Sequence, residues 1–359
     1  MKLKLFLITI FIAGTILATT NINLSNIDFQ RVVKIVPRVY GNILGVRMVP
    51  TQIFFDLSNG VEVISDFNNH RFLFRKLSGD EDNKAWRQTK ISNLKRPHAI
   101  TYHPQRKKYF AVDTDNHQII SFSKLNGSDS DIQRYSKLGD YEVGIRPHDI
   151  AYNSSDDHIY VVLDKGIARF LPSDEGIEKV TFVSKKTINE TIQRKFPNIE
   201  FSVGYVRALT IVDGVIYLIN STQGNVIQMH YFSDPETWTV HINNDRPRKS
   251  VTKGTFDKDG LILNDIDYYD GYWYASNYYP STIHNYLGSA DNIKNKVIRW
   301  KSWEDFENSR WEDLSHLIHP ESIPYYFSKY DGRLFISMFH IGNKEGEGSG
   351  IYEVKTSLL

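Results

Sequence analysis

Short runs of apolar and β-branched residues, separated by turn residues, make up most of this chain. One pattern recurs: Pro-x-x-Ile, a few further residues, a turn, a second run of β-forming residues, and then an Asp or Asn. The clearest copy, RPHAITYHPQRKKYFAVDTDNHQIISF, occupies residues 96–122, and RPHDIAYNSSDDHIYVVLDKGIARF occupies residues 146–170. Short runs of these residue types between turn signals predict β-strands.

Six copies of the pattern follow one another along the chain. Further copies lie at residues 205–229, 263–279 and 323–340. Comparison with these copies identifies residues 50–74 as the first copy in the chain. The equivalent positions, about 50 to 60 residues apart, are Pro50, Pro97, Pro147, Val206, Leu263 and Pro324. Each copy holds three short strands, and a fourth fits before the next copy, as at residues 86–91. This period predicts an all-β fold, a six-bladed β-propeller of four-stranded blades.

The two ends of the chain complete this picture. Lys2 and Lys4 precede an apolar run over residues 5–18, which is the order of a secretory signal peptide and is short for a membrane span. We expect residues 1–20 to be a signal peptide, with an uncleaved anchor as the alternative, and residues 21–359 to be a single propeller domain. The mature protein would then be secreted or periplasmic, with no membrane span. We expect residues 32–39 to pair beside residues 350–354, which would close the ring and remove exposed sheet edges.

Composition and charge exclude several classes of function. The 43 basic and 42 acidic side chains nearly cancel, which argues against a nucleic-acid-binding surface. The absence of cysteine excludes disulfides, thiolate metal sites and a cysteine nucleophile. The sequence has no Gly-x-Ser-x-Gly elbow and no His-Glu-x-x-His zinc motif. We expect a monomer that binds a small molecule or a peptide.

Candidate site residues follow from propeller geometry. The first strand of each blade lines the channel and the second returns to the same face, so first-strand starts and second-strand ends meet at one mouth. His98 and His148 occupy equivalent starts in two blades, and we consider them for a catalytic or ligand-binding role. The remaining candidates for binding a ligand are Arg207, Asn264, Asp265, Tyr325, Asp149 and Asn220. Structural alternatives stay open: a histidine that caps a strand, an arginine paired with an acid, and an Asp or Asn that forms a turn.

The repeat resembles an NHL-type blade in its Pro-x-x-Ile, Tyr/Phe-Val-x-Asp and Asn-His-x-Ile elements. Six such blades in an exported chain also resemble the superfamily of gluconolactonases, senescence marker protein and paraoxonases. Leu-Asn-Asp-Ile at residues 263–266 is similar to that family's calcium-binding strand start. The resemblance implies a calcium ion in the channel, held by Asn264, with Asp265 as the candidate for a second ligand. It also implies that His98 or His148 is a general base in the hydrolysis of a lactone, ester or phosphoester.

The chain departs from that family's pattern at two places. Thr51 stands where the family has an acidic ligand, and His148 and Arg207 stand where it has an Asn. An arginine close to calcium is electrostatically unfavourable. A ring of His, His, Arg, Asn and Tyr suits a polar or anionic ligand better than a bare dication. We therefore expect a propeller that binds such a ligand or a partner at the channel mouth, with a calcium-dependent hydrolase as the alternative.

Overall fold

In a computed structural model of the protein, each copy of the sequence pattern forms one four-stranded antiparallel sheet. The structure describes residues 31–78, 85–174, 176–244, 261–277, 296–320, 322–340 and 349–358. Within these ranges there are six such sheets, and each first strand contacts the first strands of both neighbouring blades, closing a ring. The prediction of an all-β, six-bladed propeller is confirmed.

In each blade the innermost strand comes first in the chain and the later strands lie progressively further from the channel. The exception is the last blade, whose outermost strand is the first strand of the chain. Blade 1 contains β4 (Pro50–Asp56), β5 (Val61–Asp66), β6 (Arg71–Lys76) and β7 (Arg87–Gln88). Blade 2 contains β8 (Pro97–His103), β9 (Lys108–Asp113), β10 (Gln118–Phe122) and β11 (Gln133–Tyr135). Blade 3 contains β14 (Asp149–Asn153), β15 (His158–Leu163), β16 (Gly166–Pro172) and β17 (Ile177–Ser184).

The other three blades have the same plan. Blade 4 contains β18 (Val206–Val212), β19 (Val215–Asn220), β20 (Asn225–Met229) and β21 (Trp238–Ile242). Blade 5 contains β22 (Leu263–Tyr269), β23 (Tyr272–Asn277), β24 (Lys296–Trp300) and β25 (Glu312–Asp313). Blade 6 contains β26 (Ser322–Tyr330), β27 (Arg333–His340), β28 (Gly350–Leu358) and β1 (Arg31–Tyr40).

The ring is closed by β1, which lies beside β28 as the outermost strand of blade 6. The two strands approach closely at Gly350, where an added Cβ would lie 2.5 Å from the Val39 carbonyl oxygen. The expected pairing of the chain ends is therefore present. The chain divides into two units, Lys34–Lys355 and Met1–Val33 with Thr356–Leu359. In the second unit the structure describes residues 31–33 and 356–358, and the predicted signal peptide, residues 1–20, lies outside the described residues.

Two small hairpins and two helices join the blades. The hairpins are β2 (Asn42–Ile43) with β3 (Val46–Arg47), and β12 (Lys137–Leu138) with β13 (Tyr141–Glu142). The helices are α1 (Lys185–Lys195) and α2 (Trp303–Glu307). In α1 the side chain of Ser184 caps the first turn by accepting the Thr187 N–H. Neither α1 nor α2, nor any other helix in the described ranges, is long and apolar enough to span a membrane.

Polar side chains of one first strand bind the backbone of the next one around the channel. The four acceptor and N–H pairs are Gln52 with Ile100 (2.7 Å), Thr101 with Tyr152 (3.1 Å), Asp149 with Leu209 (2.9 Å) and Asp265 with Phe327 (2.8 Å). Buried N–H groups need such acceptors, because an unpaired one costs about as much as a lost hydrogen bond. Gln52, Thr101, Asp149 and Asp265 thus hold neighbouring blades together.

A second recurring contact lies at the end of the second strand. There an Asp or Asn accepts the N–H of a residue that precedes the first strand of its own blade. The pairs are Asp66 with Val49 (2.8 Å), Asp113 with Lys95 (2.7 Å), Asn220 with Gly204 (2.9 Å) and Asn277 with Ile262 (2.5 Å). This contact explains the Asp or Asn that closes the sequence pattern. It fixes the segment from which the site residues emerge.

Candidate functional site

The first strands are irregular where the candidate residues lie. The pairing of first and second strands shifts register after Pro50, Pro97, Val206, Leu263 and Pro324. The residues inside these irregularities are Thr51, His98 with Ala99, Arg207, Asn264, and Tyr325 with Tyr326. A β-bulge breaks the simple alternation of side chains and redirects them, and bulges are common next to active sites. Five of the six blades use this device at the channel mouth.

A continuous hydrogen-bond chain links blades 3, 4 and 6 at this mouth. The Arg207 guanidinium donates to the Tyr325 hydroxyl at 3.0 Å, which lies 3.3 Å from His148 Nε2. On the other side of the imidazole, His148 Nδ1 lies 2.7 Å from the Tyr326 hydroxyl. The Tyr326 hydroxyl in turn donates to the His148 carbonyl at 3.2 Å. One arrangement gives both nitrogens of His148 a partner: Nδ1 carries the proton and donates to Tyr326, and Nε2 accepts a hydrogen bond from the Tyr325 hydroxyl.

His98 lies beside this chain, in blade 2. Its Nδ1 faces two oxygens, the Arg96 carbonyl at 3.2 Å and the Thr114 hydroxyl at 2.9 Å. The Thr114 hydroxyl gives its own hydrogen to the Pro147 carbonyl at 2.9 Å, so it accepts from His98. The contacts therefore assign the proton of His98 to Nδ1 and the lone pair to Nε2. His98 and His148 share one tautomer in equivalent positions.

Both imidazoles are held neutral. Each is 3% exposed, and burial is the largest cause that lowers the pKa of His98 and of His148 well below the usual range. The positive charges of Arg207 and Arg146 lower the pKa of both rings further. Desolvation and cationic neighbours both disfavour an imidazolium. The site therefore combines neutral imidazoles with positively charged arginines.

Two more arginines and two aromatic rings lie near this hydrogen-bond chain. Arg96 and Arg146 immediately precede the two Pro-His pairs, and their guanidiniums lie 3.4 Å and 3.3 Å from the Asp115 carboxylate. The Arg207 guanidinium lies 5.1 Å from the Tyr325 ring centre and 5.8 Å from that of Tyr205. Guanidiniums over aromatic faces are favourable cation–π contacts. This cluster of side chains is thus cationic and aromatic.

The structure places Asp149 and Asp265 elsewhere. They line a cavity of about 310 Å³ together with Asp267 and later residues of all six first strands. Tyr326 also lines this cavity, and its hydroxyl contacts His148, so it stands between the cavity and the histidines. Burial raises the pKa of Asp149 to about 7 and raises that of Asp265 well above its usual range. The two carboxyl groups do not join the arginine and histidine cluster.

Asn264 and Asn220 have mainly structural partners. The Asn264 amide donates to the Pro324 carbonyl of blade 6 at 3.1 Å. Asn220 is fully buried and binds Gly204, Ser202 and Asn225 at the end of its strand. Of the predicted site residues, the structure therefore brings together His98, His148, Arg207 and Tyr325.

The described residues supply few ligands for a calcium ion, although Asn264 Oδ1 is buried and has no hydrogen-bond partner among them. The Asp265 carboxyl group accepts the Phe327 N–H at 2.8 Å, and the Thr210 hydroxyl lies 3.0 Å from its other oxygen and 2.6 Å from the Ile266 carbonyl. Burial raises the pKa of Asp265, so a cation would have to displace a proton from this carboxyl group. In the described part of the chain, no group of three or more His, Asp or Glu side chains is arranged to hold a metal. We derive no chemical step through calcium.

Sequence reasoning missed several residues at the mouth. Arg96 and Arg146 begin the two clearest copies of the pattern, so the repeated Arg-Pro-His was a usable signal. Tyr205 comes two residues before Arg207, and only the fold shows that it faces His148, with ring centres 5.6 Å apart. Phe67 packs edge-on against His98 at 4.6 Å, from a different blade.

Comparison with known proteins supports the fold alone. No protein-family model matches the sequence, and no curated protein matches it. Among solved structures, virginiamycin B lyase from Staphylococcus aureus has 11% identity and a TM-score of 0.52, over 91% of this chain and 99% of that one. The β-propeller domain of Cps50 (Swd1) from Myceliophteria thermophila has 9% identity and a TM-score of 0.52, over 91% and 100%. One of these is an enzyme and the other is described only as a domain, so the likeness assigns no activity.

Proposed function

We propose that this protein binds a small anionic ligand at the mouth of its central channel. The observation that carries this proposal is the chain from Arg207 through Tyr325 to His148, in which a guanidinium is positioned by a phenol and a neutral imidazole. Arginine forms two parallel hydrogen bonds with a carboxylate or phosphate, and its planar fork suits such groups. The anionic group of the ligand would bind Arg207.

The surroundings support an anionic rather than a cationic ligand. Arg146 and Arg96 add positive charge at the rim, and His98 and His148 are neutral and add no charge. Tyr205 and Tyr325 supply aromatic surface beside the guanidinium. Cationic mouths with low-dielectric walls concentrate anions and raise their association rate. In this proposal the predicted signal peptide, residues 1–20, places ligand binding outside the cytoplasm.

Hydrolysis of a lactone, ester or phosphoester is a second candidate. It is favoured by the His98 Nε2 lone pair, which could accept a proton from an attacking water. It is disfavoured by the lowered pKa of His98, because a general base works best with a pKa near the operating pH. A panel of lactones and aryl esters tests it, with turnover that His98→Asn abolishes as the supporting result. The absence of turnover on the whole panel would remove this second candidate.

The binding proposal is tested by thermal stabilisation at constant ionic strength. The probes are inorganic phosphate, acetate, succinate and citrate, with succinamide as the uncharged comparison. We expect at least one anion to raise the Tm of the wild-type protein, by an amount that grows with concentration, since a ligand that binds only the folded state stabilises it. Arg207→Ala should lose this shift. Arg310→Ala is the control, because it removes an arginine that pairs with Glu304 in another part of the chain. Equal shifts in wild type and Arg207→Ala would overturn the proposal.

A further inference from the structure

The two Arg-Pro-His segments are built in the same way in neighbouring blades. Arg96 and Arg146 both adopt a left-handed backbone conformation, with φ of 48° and 55°. This conformation is uncommon for residues other than glycine, and its strain persists only where the surroundings enforce it. Such positions concentrate at functional sites and ligand clamps. His70 and His117, in the segments before these arginines, also adopt positive φ, so the conformation repeats with the blade and the side-chain contacts must carry the argument.

Histidine side chains of the preceding blades hold both arginines in place. The Arg96 N–H donates to His70 Nδ1 at 3.1 Å, and the Arg146 N–H donates to His117 Nδ1 at 3.1 Å. His70 and His117 each end a short 3₁₀ turn after the second strand of their blade. The Arg96 carbonyl is also within 3.2 Å of His98 Nδ1. The backbone of both arginines is thus fixed at the rim, next to the buried histidines.

The two guanidiniums converge on one carboxylate. Asp115 lies 3.4 Å from Nη1 of Arg96 and 3.3 Å from Nε of Arg146, so it engages one atom of each group. A guanidinium has five N–H donors, and each fork therefore retains donors that Asp115 does not engage. The side chains of Arg96 and Arg146 are 46% and 48% exposed, against 28% for Asp115. This pair forms a second place for an anionic group, separate from Arg207.

We propose that the ligand of this channel carries two anionic groups, one bound by Arg207 and the other by the Arg96–Arg146 pair. This inference rests on the proposed function and narrows its ligand to dicarboxylates and other dianions. Asp115 positions the two guanidiniums and also repels the second anionic group of the ligand. Arg96 and Arg146 each begin an Arg-Pro-His segment, so this repeated segment would bind a ligand as well as start a strand.

Titration calorimetry at constant ionic strength tests the inference. Acetate is compared with malonate, succinate, glutarate and adipate, so that charge and spacing vary while the binding group stays the same. For the wild-type protein we expect at least one dicarboxylate to bind about tenfold more tightly than acetate, because it gains a second charge-assisted contact. Arg146→Ala should reduce the ratio of dicarboxylate affinity to acetate affinity at least about fivefold.

Two further variants keep the test decisive. Asp115→Asn should strengthen dicarboxylate binding, which is the opposite direction from any loss of folding. Arg310→Ala should keep the dicarboxylate advantage of the wild type. If acetate and every dicarboxylate bind equally well and all depend on Arg207, the dianion inference is wrong while the proposed function stands. If no anion binds in an Arg207-dependent way, the proposed function fails and the inference fails with it.

Discussion

The imidazole rings of His98 and His148 lie 4.2 Å apart, centre to centre, at equivalent positions of neighbouring blades. Each ring carries its proton on Nδ1 and directs Nε2 away from its backbone contacts, as the oxygens around them require. Two rings this close cannot both be charged at low cost in a buried site. With both pKa values lowered, the two histidines remain neutral, and the positive charge of the mouth comes from the arginines.

This neutrality makes stability depend on pH. The pKa values of His98 and His148 are lowered in the folded protein, so the unfolded chain binds more protons below its own pKa of about 6.5. The contribution of each histidine to stability is therefore present above that pH and is lost as the pH falls. Urea unfolding at about pH 7.5 and about pH 5 should show a loss of up to about 2 kcal/mol per histidine.

His98→Asn is the variant that checks this prediction, because its amide can replace the Nδ1 donor. The stability difference between the two pH values should be smaller in His98→Asn than in the wild type. His316→Gln, at an exposed position, is the control and should behave like the wild type. An unchanged pH dependence in His98→Asn would show that the histidine is already charged in the folded protein.

Asp149 should produce a pH dependence of the opposite sign. Burial raises its pKa to about 7, whereas the unfolded value is about 3.9, so the folded protein retains the proton as the pH rises. Its stabilising effect is complete below about pH 4 and decreases up to about pH 7. Urea unfolding of wild type and Asp149→Asn across this window should show the wild type losing a few kcal/mol relative to the variant. The exposed Asp331→Asn should show no such trend, and a constant difference for Asp149→Asn would refute the raised pKa.

Tyr326 should matter for stability through its hydroxyl. Tyr326→Phe would leave the His148 Nδ1–H without its 2.7 Å acceptor in a buried site. A buried group that loses its partner costs about 1–3 kcal/mol. Equilibrium unfolding should therefore show a loss of this size for Tyr326→Phe. Tyr231→Phe, on a side chain that is 69% exposed, should change stability by less than about 0.5 kcal/mol. Similar values for the two variants would contradict the hydrogen-bond chain.

The fold could be predicted from the sequence because each blade repeats its own signals. The proline at the first-strand start recurs in four of the six copies and the closing Asp or Asn in five. The closing residue makes a physical contact, as Asp66 with Val49 illustrates. The meeting of His98, His148, Arg207 and Tyr325 at one mouth followed from the same geometry. Periodicity alone was sufficient for these predictions.

The remaining part of the site depends on bulges, which periodicity does not reveal. The sequence favours Asn264 and Asp265 as one ligand pair, but the strand register shifts between Leu263 and Asp265, and the Asp265 carboxyl group binds the next blade. Tyr325 and Tyr326 follow one another in sequence and both contact His148, which an alternating strand would not allow. A single inserted residue changes which face a side chain occupies.

The central claim, that the guanidinium of Arg207 binds an anionic group, is tested most directly by a crystal structure of the protein grown with succinate. The account predicts a carboxylate in the channel mouth, with its oxygens about 2.7–2.9 Å from the Arg207 guanidinium, as charge-assisted hydrogen bonds require. Density for succinate only at other sites, with Arg207 fully paired to a carboxylate of the protein itself, would contradict it.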